Sequence, residues 1–383
     1  MDKCKLLFEK IDELTEKYIG VWESVCRLES PTADKAAVDA CGEYVMQVCR
    51  DFGCDITKEH EEVSGDPFFA ELNADAKGAP VCFSGHIDTV HPIGFFGEVP
   101  VWFENGEIHG PGVTDCKGGV VAAMLAMEAL SAVGYTERPL RLIVQTDEEN
   151  SSRTSDKRTV AFMAESARGS AAFLNLEGGM PDKVTVGRKG ILRYRIDVTG
   201  VARHSSLCFD GANAIREAAY KIIELEKWKD REGITANIGK IEGGTVANTV
   251  AEKCSFIIDI RYKTALERAE VEKRLVKIVG HSSVEGTRAE MVKISERVAM
   301  ERTDGVMSLF NRVREIFEKT GLGEISPEER TGGSDAADMV YRGVSALDSL
   351  GVYGGYIHSI QEYAFIDSLA KCAKRLAAIA LFI

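Results

Sequence analysis

The chain has 383 residues, 45% hydrophobic and 28% charged, a globular composition long enough for two cores rather than one. Its formal net charge of −13 argues against the basic face a nucleic-acid binder needs, and no apolar run reaches membrane-spanning length. Ten cysteines are scattered without a Cys-x2-Cys pair, and the charged N-terminus lacks a signal-peptide core, so a cytoplasmic protein with reduced thiols is expected.

In chain order, residues 6–28 and 33–52 carry helical spacing, and 67–72 reads as a short strand. Residues 79–90 form a mostly apolar run suited to a strand covered on both faces of an α/β sheet. His86 and Asp88 stand two apart at its end, on one face. Next comes Gly110-Pro111-Gly112-Val113-Thr114-Asp115-Cys116-Lys117-Gly118-Gly119, followed by the apolar, Ala-rich run 120–127, read as a buried helix. Glycines there permit unusual backbone angles and close approach, so Asp115 either caps that helix or belongs to a ligand site. The phosphate-loop spacing Gly-x4-Gly-Lys-Ser/Thr is absent. Residues 140–145 are a second apolar strand, ending in Thr146-Asp147-Glu148-Glu149, and 171–176 a third, ending in Glu177. Polar groups at the carboxyl ends of such strands converge on sites.

The middle of the chain changes rhythm. Residues 191–198 alternate apolar and polar, as a half-buried strand does. A helix over 212–227, strands over 234–240 and 254–262, a helix over 266–279 and a strand over 288–294 complete a β-α-β-β-α-β order, the ferredoxin-like split motif. The expected organisation is therefore a domain of residues 1–187 and 297–383 with 188–296 inserted. After the insert, 306–319 and 334–341 read as helices, 345–350 as a strand, and 360–383 as a long final helix.

His86, Asp88, Asp115, Glu148, Glu149, Glu177 and, later, His358 in Gly354-Gly355-Tyr356-Ile357-His358-Ser359 form the chemical set. Unpaired in a cleft, such groups repel one another and demand cations. Mixed imidazole and carboxylate donors suit zinc or a similar divalent ion, and two ions if one carboxylate bridges.

Ser84-Gly85-His86-Ile87-Asp88-Thr89-Val90, the loop around Asp115, Asp147-Glu148-Glu149, Glu177, the segment from Gly243 to Asn248, and His358 occur in an order that resembles a known family. It is that of the dinuclear-zinc metallopeptidases, which includes glutamate carboxypeptidase, aminoacylase, acetylornithine deacetylase and succinyl-diaminopimelate desuccinylase. The resemblance covers nearly the whole chain. Asn150-Ser151-Ser152 departs from the aliphatic-Gly-Ser run of many members, and Cys116 stands where methionine is often found; neither is a proposed ligand.

The resemblance implies a doubly wound, zinc-peptidase-like α/β catalytic domain with an inserted ferredoxin-like α+β dimerisation domain. It implies two divalent ions per chain, zinc with cobalt or manganese as alternatives, bridged by Asp115. His86 and Glu177 would complete one site, Glu149 and His358 the other. Asp88 would orient His86, and Glu148 would serve a metal-bridging water as general base and then acid. A cis peptide bond after Asp115 is expected. Arg261 would clamp a substrate carboxylate, the alternative being a solvated arginine on an open strand face. Gly332, Gly333 and Ser334 would line the substrate, which is compatible with a helix N-cap there. His204, assisted by Asn248, would serve the partner's site in a homodimer joined through the insert.

The implied activity is amide hydrolysis on a small peptide or N-acyl amino acid, by an exopeptidase or a deacylase. Glu at position 177 leans towards the carboxypeptidase and deacylase branches. One alternative is a catalytically silent metal- or peptide-binding relative, against which the intact Glu148 speaks. The other is a doubly wound nucleotide-binding enzyme, against which the missing Gly-x-Gly-x2-Gly spacing speaks.

Overall fold

The computed structural model describes residues 2–231 and 233–383. The chain divides into two compact units, one of Met1–Val186, Arg302–Glu328 and Ser334–Ile383, the other of Gly187–Glu301 and Glu329–Gly333.

The chain begins with α1 (Asp2–Arg27) and α2 (Lys35–Asp51), then β1 (Asp55–Lys58), β2 (Phe68–Leu72) and β3 (Val81–His86). A short hairpin of β4 (Trp102–Glu104) and β5 (Glu107–His109) precedes α3 (Lys117–Ala132). Next come β6 (Leu140–Gln145), α4 (Arg158–Ser166), β7 (Ala172–Asn175) and β8 (Lys183–Arg188). The second unit supplies β9 (Gly190–Thr199), α5 (Ala214–Leu225), β10 (Thr235–Gly243), β11 (Lys253–Tyr262), α6 (Ala265–Gly280) and β12 (Arg288–Arg297). The remainder is α7 (Asp304–Thr320), β13 (Ser326–Arg330), α8 (Asp335–Tyr341), β14 (Ala346–Leu347), β15 (Gly354–Gly355), β16 (Tyr363–Phe365) and α9 (Ser368–Phe382).

The main sheet of the first unit runs β1-β2-β6-β3-β7-β14. The four strands from β6 to β14 are parallel; β2 and β1 add an antiparallel edge. Every residue of β3 is buried, as a strand covered on both faces must be. Alternate side chains of β2 mark the two faces. A Cβ on Gly42 of α2 would lie 3.3 Å from the Phe68 ring, whereas Phe69 stacks on Phe162 of α4 at 6.0 Å. Helix α3 is buried along nearly its whole length and packs on α1 and α9.

Three of the boundaries that differ from the sequence reading bear on the site. The strand expected over 79–90 ends at His86, because Thr89 leaves the ladder to bond Ser30 and Thr32 instead. The same-face relation inferred for His86 and Asp88 therefore does not come from strand pleating. The strand expected over 345–350 pairs on the sheet only at Ala346 and Leu347. The final helix starts at Ser368 rather than 360, because Tyr363–Phe365 pair with β5 in a separate sheet, β15-β16-β5-β4. Rings cross that small sheet in a row, with Trp102 to His109 at 4.9 Å, His109 to Tyr363 at 6.0 Å and Tyr363 to Tyr356 at 6.0 Å.

In the second unit an antiparallel sheet of order β10-β11-β9-β12 carries α5 and α6, the ferredoxin-like arrangement. Leu192, Tyr194, Ile196 and Val198 of β9 are buried with Phe256, Ile258 and Ile260 of β11 and Val271 and Leu275 of α6. Arg193 and Arg195, the alternate positions of β9, are exposed.

Candidate metal centre

The parallel strands deliver the site. His86 is the last residue of β3, Glu148 and Glu149 lie on a single 3-10 turn after β6, and Glu177 follows β7 by two residues. These three strands are neighbours, so their carboxyl ends open on one place. Asp115 enters through the glycine loop before α3. Gly112 there has φ +71°, and a Cβ on Gly119 would lie 2.2 Å from the carbonyl oxygen of Leu176, so both positions require glycine. The peptide bond between Asp115 and Cys116 is cis, as expected. Asp115 does not cap α3: the N-cap position is Cys116, without a side-chain cap.

The two oxygens of Asp115 face different imidazoles. Oδ1 lies 3.2 Å from Nε2 of His86, and Oδ2 lies 3.1 Å from Nε2 of His358. His86 Nε2 is also 3.8 Å from Glu177, and His358 Nε2 is 3.0 Å from Glu149. Ligand atoms of His86, Asp115 and Glu149 all fall within 4.8 Å of one another. Two atoms held at 2.0–2.1 Å by one tetrahedral ion stand about 3.3 Å apart, so these spacings fit shared ions. The donors sort into His86, Asp115 and Glu177 on one side and His358, Asp115 and Glu149 on the other.

Asp88 is fully buried and organises both sides of this set. Its main-chain oxygen lies 3.0 Å from Nδ1 of His86, nearer than its carboxylate at 3.5 Å. A carbonyl oxygen only accepts, so Nδ1 carries the hydrogen and Nε2 is bare for a metal. The Asp88 carboxylate accepts the N–H groups of Glu148 at 3.1 Å and Glu149 at 3.2 Å, and the hydroxyl of Thr32 at 2.7 Å. Asp88 thus orients the acidic turn as well as His86.

Protons do part of the work that a cation would do. Burial, with further effects from Asp115 and Glu148, pushes Glu149 up to about 7. Burial and the Asp115 charge hold Glu177 well above the carboxylate range. Hydrogen bonds to Asp115 and Glu149 raise His358 to about 11. Glu148 contributes to the upward shifts of both Glu149 and Glu177, so its charge is felt on both sides of the set. Glu149 and Glu177 are carboxylates that divalent cations would discharge, whereas Asp115, although buried, is held below the usual carboxylate range by its bonds to His358 and His86.

The remaining predicted residues, Ser334 apart, belong to the second unit. His204 and Asn248 are exposed neighbours there, joined where Ser205 N–H bonds the Asn248 carbonyl at 2.8 Å. Nδ1 of His204 is 2.8 Å from the Ser206 hydroxyl. Arg261 is anchored, its Nε 2.8 Å from Asp259 and its Nη1 donating to the Thr331 carbonyl at 3.2 Å. Arg188 holds the carbonyls of Gly332 and Gly333 at 3.3 and 3.4 Å. Ser334, in the first unit, is fully buried; its hydroxyl donates to Asp348 at 2.6 Å and does not cap α8.

Sequence reasoning missed three supports. Thr32 has only its turn setting as a signal. Lys117 is fully buried, and its ammonium donates to the Val25 and Leu28 carbonyls at 3.2 and 2.9 Å, closing the end of α1 beneath the Asp115 loop. Glu362 was hidden inside the overextended final helix.

Imidazoles and carboxylates gathered around a two-sided aspartate at parallel strand ends form a donor set that fits divalent metal ions. Residues 82–381 match the sequence profile of Peptidase family M20/M25/M40, and the chain belongs to that family. It is 24% identical over 375 residues to carboxypeptidase G2 of Pseudomonas sp. (strain RS-16), spanning 96% of this chain and 89% of that one. It is 26% identical over 321 residues to a succinyl-diaminopimelate desuccinylase of Alkalilimnicola ehrlichii, spanning 77% and 82%. The aminopeptidase PepT structure from Bacillus cereus superposes with a TM-score of 0.80 over 95% of this chain and 97% of that one, at 20% identity, a likeness of fold. The protein is a metal-dependent hydrolase of peptides or N-acyl amino acids.

Proposed function

We propose that this enzyme cleaves the amide bond of a dipeptide or N-acyl amino acid whose leaving amino acid keeps a free carboxylate, using two divalent ions held by His86, Asp115, Glu149, Glu177 and His358. The observation that carries the proposal is the divided Asp115 carboxylate, with one imidazole on each oxygen. The donor set suits zinc, with cobalt or manganese as substitutes. When bound, the ions supply Lewis acidity, which acidifies water and polarises the scissile carbonyl. Glu148 takes the proton of the attacking water on its carboxylate and returns it to the leaving nitrogen. Asp88 holds that turn and the tautomer of His86. Arg261, already anchored by Asp259, offers a guanidinium to the substrate carboxylate, and the Gly332-Gly333-Ser334 segment lines the substrate.

The same proposal makes the protein a homodimer joined through residues 188–296. Phe209 is 97% exposed, and Ile215, Tyr220 and Ile223 of α5 and Ile241 of the edge strand β10 are exposed too. An open strand edge beside exposed apolar side chains suits a two-fold contact. Residence in the cytoplasm is supported by ten free cysteines, nine of them buried. Among the described residues no helix is long and apolar enough to cross a membrane.

The test is a screen of the metal-loaded protein against dipeptides and N-acetyl, N-succinyl and N-carbamoyl amino acids. Metal-dependent release of an amino acid from one of these classes is expected, with loss of activity when its carboxylate is amidated. No turnover on any class by protein carrying both ions would overturn the proposal.

A further inference from the structure

We infer that Glu362 is a positioning residue that fixes Asp115 relative to His358, and so sets the ligand spacing at the ion those two share. This rests on the ligand roles proposed above for Asp115 and His358.

Glu362 is 3% exposed and follows His358 by four residues. Both of its carboxylate oxygens are spent on the glycine loop. Oε1 accepts the N–H groups of Thr114 at 2.9 Å and of Asp115 itself at 3.0 Å, and Oε2 accepts that of Gly112 at 3.3 Å. Its main chain ties the same two segments. The Glu362 carbonyl accepts Gly110 N–H at 3.3 Å, and its N–H donates to Ser359 at 3.1 Å, in the turn that carries His358. The next residue, Tyr363, accepts the Thr114 hydroxyl on its carbonyl at 2.6 Å. The loop bearing one ligand and the turn bearing the other are thus fastened through one side chain and its neighbours.

A carboxylate is a costly group to bury beside Asp115, so its presence calls for a reason. Three N–H groups converge there from a loop whose irregular backbone gives them no helix or sheet partner, and buried N–H groups need acceptors. Only an acceptor with two bare oxygens meets all three. An amide would turn its own N–H groups towards a donor, and an alkyl side chain would leave all three unpaired. The bond to the Asp115 N–H acts directly on a proposed ligand: it fixes the main chain from which a short side chain, with two torsions, reaches both imidazoles. Partners of this kind orient ligands and tune metal affinity.

The experiment loads wild type, Glu362→Gln, Glu362→Asp and His358→Ala with Co(II). It titrates the ions out with a chelator buffer while recording the visible spectrum, and follows thermal unfolding of each metal-free protein. In both Glu362 variants one ion is expected to bind about 10–100-fold more weakly with an altered spectrum, while the metal-free protein, although it melts below wild type, stays folded. Wild-type affinity and spectrum in both variants would overturn the inference. So would failure of both to fold, which would assign Glu362 to the fold alone. Retention of both ions by His358→Ala would instead overturn the ligand role on which the inference depends.

Discussion

Oδ2 of Asp115 lies 3.1 Å from Nε2 of His358, with the other Asp115 oxygen turned to His86. A carboxylate divided in this way can offer one oxygen to each of two cations. Two ions roughly 3.5–4 Å apart are expected. Asp115→Asn should weaken both, whereas His358→Ala should release one and leave the other. Elemental analysis of fully loaded protein measures this, and a single ion per wild-type chain would refute the sharing of Asp115.

Glu148 and Glu149 are adjacent in sequence yet differently placed, which separates their expected phenotypes. Both have their N–H fixed on Asp88, but the Glu149 carboxylate faces His358 at 3.0 Å and gathers with His86 and Asp115. Glu148→Gln should keep both ions and lose about 10²–10⁴-fold in kcat, because an amide cannot accept a proton from water. Glu149→Gln should lower the affinity for one ion first. Steady-state kinetics beside metal content decide the matter, and near-normal turnover by Glu148→Gln would require another base.

The apolar strands over 140–145 and 171–176 were legible because burial on both faces leaves little room for polar residues. The ligand-bearing groups were legible because they interrupt that pattern at strand ends. The insert was legible through the alternation in β9 and β11, whose buried and exposed faces follow the sequence residue by residue. The small sheet was not legible: its strands have two or three residues, too few for any period to register. Residues 360–367 share the helical spacing of the helix that follows, and the pairing of Tyr363–Phe365 with β5 and β15 pulls them out of it. Thr32 and Glu362 act through hydrogen bonds to segments distant in sequence, and periodicity carries no trace of such bonds.

Asp66 provides a pH test of stability away from the site. Its carboxylate accepts from Lys35 at 2.6 Å and from the Glu61 N–H at 2.9 Å, with His60 at 3.4 Å. Burial disfavours its charge, yet bonds from Lys35, Glu61 and His60 hold it down to about 2 from an ordinary 3.8. A folded value below the unfolded one gives stability that is complete above the unfolded value and lost as pH falls through the folded value. Asp66→Asn should therefore lower the urea midpoint at neutral pH, with the gap to wild type closing between about pH 4 and about pH 2. A gap that widens over that range would contradict the assignment.

In the second unit Lys221 is 3% exposed and paired with the fully buried Glu217 at 2.8 Å. Its ammonium also donates to the carbonyls of Ile278, Val279 and His281 at the end of α6. Removing Lys221 leaves Glu217 buried with only the N–H groups of Ser283 and Val284, at 2.9 and 2.7 Å, to hold its charge, and loss of one member of a buried pair costs up to roughly 3–5 kcal/mol. Lys221→Met should thus melt the second unit well before wild type in calorimetry. A shift within error would mean that solvent reaches Glu217.

His204 carries the expectation that links oligomeric state to chemistry. It is exposed in the second unit, beside Asn248, whereas every residue of the proposed ligand set belongs to the first unit. Its Nδ1 is occupied by Ser206, at 2.8 Å from the hydroxyl and 3.3 Å from the N–H. Accepting the Ser206 N–H requires a bare Nδ1, so in the neutral ring Nε2 carries the hydrogen and is the donor. A preorganised donor to a developing oxyanion is typically worth about 10²–10³ in rate. If that donor acts on the partner's substrate, Glu148→Gln and His204→Ala are each inactive as homodimers but complement one another. In the mixed dimer one site joins an intact Glu148 to the partner's His204, while the other site lacks both. Mixing the two variants under conditions of demonstrated subunit exchange should restore up to about a quarter of wild-type activity, since half the dimers are mixed and each has one good site. No recovery despite exchange would mean that His204 serves its own chain or takes no part.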